Sequence, residues 1–273
     1  MTKRFKFVLA SGLMALLLWA MQFVVPEHRL QVIIVAVVLS YLLSVWVLFE
    51  DLKGVEWITI IILPVFYTLG AGLFSLFLPE SVPRILGQRL EADVARLVAS
   101  LIRALFWVGF GLGYYAIYLT ENIFSVAAIR TIQLLRAAHA VGFLLTLLVG
   151  LFLFHALVSF KLPFWALSLL AGGMSLPLFL QGNWSMQLKE GLSRRVWLYS
   201  LVGALIVAEA ALALAFWPVE GLTAALMLVT VMYVVLGLSQ QYLSGRLFKN
   251  QMNEYVAVAV MVLLASFYIT SWR

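Results

Sequence analysis

This sequence predicts an all-α integral membrane protein, a polytopic bundle of about nine transmembrane helices, and three observations carry that reading. The chain is 64% hydrophobic and 11% charged with a mean hydropathy of +1.07, whereas a soluble domain carries roughly a quarter charged residues. Its stretches free of Lys, Arg, Asp and Glu are long: 7–26, 30–49, 57–79, 104–120, 137–160, 162–188, 221–245 and 255–272, with 196–219 broken only by Glu209. A helix needs about 20 residues to cross the hydrocarbon. Finally, Trp46, Trp57, Trp165, Trp184, Trp197, Trp217 and Trp272 fall near the ends of these runs, where amphipathic rings prefer to sit. Barrel strands would be about ten residues long and alternate in polarity. These runs do neither, so helices must satisfy the backbone inside the bilayer.

The elements follow in order as one transmembrane domain over 1–273. The first span, about 7–26, follows Lys3, Arg4 and Lys6; it is too long for a cleavable leader and lacks a convincing A-x-A site, so it reads as an uncleaved span. The second covers 30–49 and the third 57–79, the latter interrupted by Pro64, Gly70 and Gly72. Next comes an amphipathic segment, 82–97, expected to be a helix that lies at the outer interface or extends the fourth span into water. Ser81 can cap it, Pro83 suits its first turn, and Ile85, Leu86, Leu90, Val94 and Leu97 recur at helical spacing. The fourth span, 98–119, has the shortest uncharged run and lets Arg103 snorkel outward. Without it the count drops to eight and the C-terminus moves inside. A second interfacial helix is expected over 121–137, where Asn122, Ser125, Arg130, Gln133 and Arg136 share one sector at about 100° per residue. The remaining spans are 138–160, 163–182 with Gly172, Gly173 and Pro177 inside the sixth uncharged run, 196–217, 221–243 and 255–272.

Basic residues favour cytoplasmic loops. With the N-terminus inside, eleven Lys and Arg residues fall on the inner side and seven on the outer, four of those seven in 81–103. The expected topology is N-terminus cytoplasmic and C-terminus outside. The net charge of +6 is therefore a matter of topology, not of nucleic acid. The partner it implies is the lipid bilayer, with anionic headgroups at the cytoplasmic face.

Several chemistries are excluded. The chain has no cysteine, hence no disulfide, thiolate nucleophile or cysteine-held metal. Its two aspartates, Asp51 and Asp93, lie outside the spans, and no lysine lies inside one. His139 and His155 are sixteen residues apart, about 24 Å along a helix. They cannot share a metal, and His28 lies in a loop. No G-x-S-x-G, H-E-x-x-H or phosphate loop occurs. No cofactor, metal site or catalytic set is implied, and the reading leans away from an enzyme. Gly109 and Gly113 form a small-xxx-small pair suited to close helix packing.

The exception to the apolar pattern is Glu209, near the centre of the seventh span with no Lys or Arg within one turn. Burying a carboxylate there is costly, so the group is expected to be neutral, hydrogen-bonded or facing water. A possible proton, ion or substrate site combines Glu209 with Tyr67 and Ser175. A phosphate or headgroup contact combines Asn122, Arg130, Gln133 and Arg136, whose guanidinium groups suit phosphate oxygens.

Three stretches, GVEWITIIILPVFYTLGAGLFSLFLP from Gly54, LTENIFSVAAIRTIQLLRAAHAVGF from Leu119 and LGLSQQYLSGRLF from Leu236, resemble an uncharacterised family of polytopic membrane proteins of candidate-phyla bacteria. The Glu209 segment ending in FWP is similar to it too, while 81–103 is richer in charge than that family's pattern. The resemblance implies a bacterial inner-membrane protein and carries over no functional residue. Three functions remain open: a small-solute or proton-coupled carrier, a scaffold or assembly subunit, and a lipid-headgroup-modifying enzyme. The carrier is preferred on Glu209, the two interrupted spans and the cationic inner helix.

Overall fold

The computed structural model describes residues 2–49, 54–82, 84–85, 88–128, 133–189, 191–246 and 248–270, with side chains left undescribed at 84–85 and 88–89. Among these, nine helices are long and apolar enough to cross a bilayer. They are α1 (Lys3–Ala20), α2 (Arg29–Leu48), α3 (Glu56–Ser75), α4 (Ala92–Ala127), α5 (Leu135–Ser159), α6 (Phe164–Trp184), α7 (Arg194–Leu214), α8 (Gly221–Leu243) and α9 (Lys249–Ile269). The chain is a multi-pass helical membrane protein.

Cross-helix contacts show that successive helices run in opposite directions. Phe7 of α1 stacks on Tyr118 near the far end of α4, Tyr199 of α7 meets Tyr242 of α8, and Tyr233 of α8 meets Tyr255 of α9. At the other end Phe77 after α3 packs on Phe160 after α5, and Trp217 after α7 donates from Nε1 to Thr270 after α9 at 3.1 Å. We call the end holding Lys3, Arg136, Arg194, Arg195, Arg246 and Lys249 the basic end.

Buried side chains form one large core from α1 to α8, including Leu18, Tyr67, Tyr114, Phe154, Phe179 and Met232. Large apolar side chains such as Ile34, Val38, Leu105, Leu169 and Leu264 point outward; in hydrocarbon that costs nothing, and packing rather than apolar burial must hold the helices together. Small residues and hydroxyls supply the close approach. A methyl group added at Gly172 of α6 would stand 2.8 Å from Ala208 of α7, and Ser168 Oγ donates to Ala208 O at 2.8 Å. Gly113 of α4 lies under the ring of Tyr67, whereas Gly109 has open space beside it. Only half of the expected small-residue pair packs a helix.

Three expectations are corrected. The segment 82–97 is not an interfacial helix: Arg84–Ile85 (β1) pairs antiparallel with Gln88–Arg89 (β2), while from Ala92 it is part of α4 and extends the fourth span, as the other reading had it. That helix has 36 residues, about 54 Å at 1.5 Å per residue, well beyond the ~30 Å hydrocarbon. The segment 121–137 is not one surface helix either. Its first turns complete α4 and its end opens α5, while 129–132 lies outside the described residues. Glu121 and Ser125 are buried in the bundle, which holds this stretch in the interior. Finally, α3 and α6 run unbroken through Pro64 and Pro177, so neither is a discontinuous helix. At Pro64 the local backbone gains side-chain donors: Ser40 Oγ at 3.2 Å and Thr68 Oγ1 at 3.0 Å both bond to Pro64 O.

Candidate functional site

The alternation of helices gathers polar side chains from six of them at the basic end. These are Glu56 at the start of α3, Glu121 and Ser125 near the end of α4, His139 early in α5, Gln181 and Asn183 at the end of α6, Ser200 in α7, and Ser239 and Gln240 in α8. Glu121 and Ser125 share a face because they are four residues apart on a helix. Gly182 lets α8 come close, for a methyl group there would stand 3.0 Å from Leu236 and 3.3 Å from Gln240 Nε2.

Hydrogen bonds pair these groups in separate sets. Gln181 Nε2 donates to Glu121 Oε1 at 2.7 Å, and Ser125 Oγ donates to Glu56 Oε2 at 3.3 Å. Asn183 Nδ2 donates to Ser200 Oγ at 3.1 Å and Asn183 Oδ1 accepts from Ser239 Oγ at 2.7 Å, which ties α6 to α7 and α8. Gln240 Nε2 donates to Gly182 O at 2.9 Å. His139 Nε2 lies 2.8 Å from Ser185 O; a carbonyl only accepts, so that nitrogen carries a proton. The ring of His139 stacks on Phe124, one turn beyond Glu121.

Glu121 is 0% exposed and Gln181 1%. Among the described residues each keeps one buried oxygen without a partner, Glu121 Oε2 and Gln181 Oε1. A buried acceptor left unpaired costs about 1–3 kcal/mol, so two on either side of one hydrogen bond mark a place short of donors. A proton carried by the carboxyl would add one.

Beside these groups, at the same end, a cleft of about 1060 Å³ opens between α5, α8 and α9. Its lining includes Gln133, Arg136, His139, Gln240, Gln241, Ser244, Arg246 and Tyr255. His139 and Gln240 line the cleft and also bond to the carbonyls of Ser185 and Gly182 at the end of α6. The cleft is thus cationic, with Arg136 and Arg246 in its lining.

The sequence-predicted residues divide. Gln133 and Arg136 line the cleft. Asn122 is half-buried in α4 with Oδ1 lacking a partner. Arg130 lies outside the described residues. Tyr67 is buried and donates to Phe110 O at 3.3 Å; Ser175 is buried and donates to Gly172 O at 2.9 Å. Glu209 is exposed on the face of α7 turned from the bundle, between Ile206 and Leu212, which are exposed as well. No hydrogen bond joins Glu209, Tyr67 and Ser175 among the described residues. Sequence reasoning missed Gln181, Asn183 and Gln240 because runs were delimited by charged residues alone, and an uncharged amide leaves such a run intact. The available signal was polar spacing, Gln181 and Asn183 beside Gly182, and Gln240 beside Ser239. His155 packs against Phe74 and Phe77, and no group of metal-binding side chains forms among the described residues.

Fold and site together define a polytopic α-helical membrane protein with a buried polar centre at its basic end. Residues 29–269 match the model of a family described as a protein of unknown function, DUF5656. The chain belongs to that family. No curated protein and no solved structure matches it.

Proposed function

We propose that the protein is a carrier for a small anionic solute, with its entry at the basic-end cleft and proton exchange at a membrane carboxyl. The observation that carries this reading is the cleft of about 1060 Å³, with Arg136 and Arg246 in its lining, at the same end of the bundle as the buried Glu121–Gln181 pair. Arginine in the lining selects oxyanions by charge and by its forked donors. An ionisable group inside a membrane bundle is by default a functional candidate. Glu121 meets that description; Glu209, on the outer face of α7, is the other carboxyl within a span and is tested beside it. In this reading the basic end faces the cytoplasm of a bacterial inner membrane, where Arg136 also meets anionic headgroups, with Arg130 beside it in sequence.

The test is uptake into proteoliposomes containing a trapped pH indicator, with inorganic phosphate as the probe anion. Phosphate-dependent proton movement is expected in the wild type. It falls at least about tenfold, a 1.4 kcal/mol effect, in Arg136→Ala and Arg246→Ala. Loss in Glu121→Gln with Glu209→Gln unaffected assigns the proton to Glu121, and the reverse assigns it to Glu209. Equal flux in the wild type and all four variants removes the carrier reading.

A further inference from the structure

A second pocket lies at the opposite end of the bundle, about 280 Å³ in volume and enclosed by the end of α1, the start of α2, the loop after α3 and the middle of α4. At roughly 30 Å³ per water it has room for about nine. Its wall carries Gln22, Arg29, Ser75, Glu80, Arg103 and Trp107.

Two features of that wall point to a ligand. Trp107 is 6% exposed, and among the described residues neither its indole Nε1 nor the buried Nε of Arg103 has a hydrogen-bond partner. Both atoms are donors only, so both need the same thing, an acceptor. They lie four residues apart on α4, on one face of the helix. The second feature is charge. Arg29 is anchored through Nε to Val24 O at 3.2 Å, which leaves its terminal nitrogens available. Neither Arg29 nor Arg103 forms an ion pair with Glu80, which is exposed. Two arginines and one carboxylate, Arg29, Arg103 and Glu80, therefore line one confined space at this end of the bundle.

We propose that this pocket binds an oxyanion of the phosphate class, held by Arg103 and Trp107 from α4 and by Arg29 from α2. A tetrahedral oxyanion presents several acceptors at once, which suits an indole N–H and two forks better than a single carbonyl does. The phosphate can belong to a free ion or to a phospholipid headgroup, since the pocket stands where helix ends reach the interface. Glu80 opposes binding by repulsion. The site is separate from the cleft, and its assignment does not depend on transport.

The experiment uses the full chain in two arms. In detergent, equilibrium dialysis with labelled inorganic phosphate is run against chloride at equal ionic strength. In nanodiscs of phosphatidylcholine with phosphatidylglycerol, native mass spectrometry counts phosphatidylglycerol retained on the released protein. Phosphate bound in the first arm indicates a free ion, and retention confined to the second indicates a headgroup. In either case Arg103→Gln and Trp107→Phe are expected to weaken binding at least about tenfold, the size of one lost hydrogen bond to a charged group. Arg103→Lys keeps the charge and falls between, and Glu80→Gln strengthens binding severalfold. Unfolding temperatures of the variants separate a lost site from a lost fold, with Glu80→Gln giving a gain that no folding defect produces. The proposal is overturned if phosphate behaves as chloride does and phosphatidylglycerol is retained equally by the wild type and both α4 variants.

Discussion

Gln181 and Glu121 show what one pair of side chains does in this molecule. Their hydrogen bond joins α6 to α4 in a part of the bundle that excludes solvent. Gln181→Leu removes the one side-chain donor that the Glu121 carboxyl has among the described residues, and the expected loss is about 1–3 kcal/mol, read as a lower unfolding temperature in detergent. Glu121→Gln keeps size and bonding capacity, so it is expected to fold and to unfold near the wild-type temperature. A collapse of Glu121→Gln would show that the carboxyl itself is needed for folding. Gly113 makes the opposite point, about space. A methyl group there enters the ring of Tyr67, which is stacked on Phe110 and cannot swing freely. Gly113→Ala is expected to cost about 1–3 kcal/mol through overpacking, while Gly109→Ala, facing open space, changes the unfolding temperature little.

At the scale of the element, α6 and α7 form the closest pair of helices. Gly172 against Ala208, Gly203 against Phe179 and the Ser168 hydrogen bond lie along one seam. Small residues permit that approach where lipid offers no apolar driving force. Gly172→Leu therefore drives the two backbones apart, with a larger loss of stability than Gly173→Leu, whose site has open space; comparing the two unfolding temperatures tests the seam. The opposite face of α7 carries Leu205, Ile206, Leu212 and Glu209 outward. Periodicity alone places these residues together on one face. Which face meets the neighbours is decided by Gly172, Phe179 and Ser168, none of them on α7.

For the whole molecule, alternation of nine helices puts the ends of α2, α4, α6 and α8 beside the starts of α3, α5, α7 and α9. That arrangement collects the basic residues and the buried amides at one end. The predicted orientation, basic end cytoplasmic, is open to a direct measurement because the chain has no cysteine. Lys161→Cys is expected to react with an impermeant maleimide in intact cells, and Lys249→Cys to react only after the membrane is opened. The reverse pattern inverts the topology.

The fold class and the number of helices were legible in the sequence because each follows from a local quantity, the length of a run that water will not solvate. The N-terminal cluster Lys3, Arg4 and Lys6 and the aromatic residues at run ends are local in the same sense. Residues 82–97 and 121–137 misled the reading for a physical reason. In 82–97 apolar residues at helical spacing fall on a short strand pair and only the part from Ala92 is helical; in 121–137 amphipathic spacing reports that a helix has two faces, not whether the polar one meets water or another helix. For Glu121 and Ser125 it meets α3 and α6. The same limit applied to the site: Gln133 and Arg136 could be read from charge and spacing, but Gln181, Asn183, Gln240 and Trp107 could not. Their meaning lies in partners sixty residues or more away in some cases, such as Glu121 for Gln181, and only the packing of helices brings such residues together. The sequence by itself determined that the chain lives in a bilayer; the tertiary structure decided which of its few polar groups face inward, because in hydrocarbon a polar group is placed by the partner it finds.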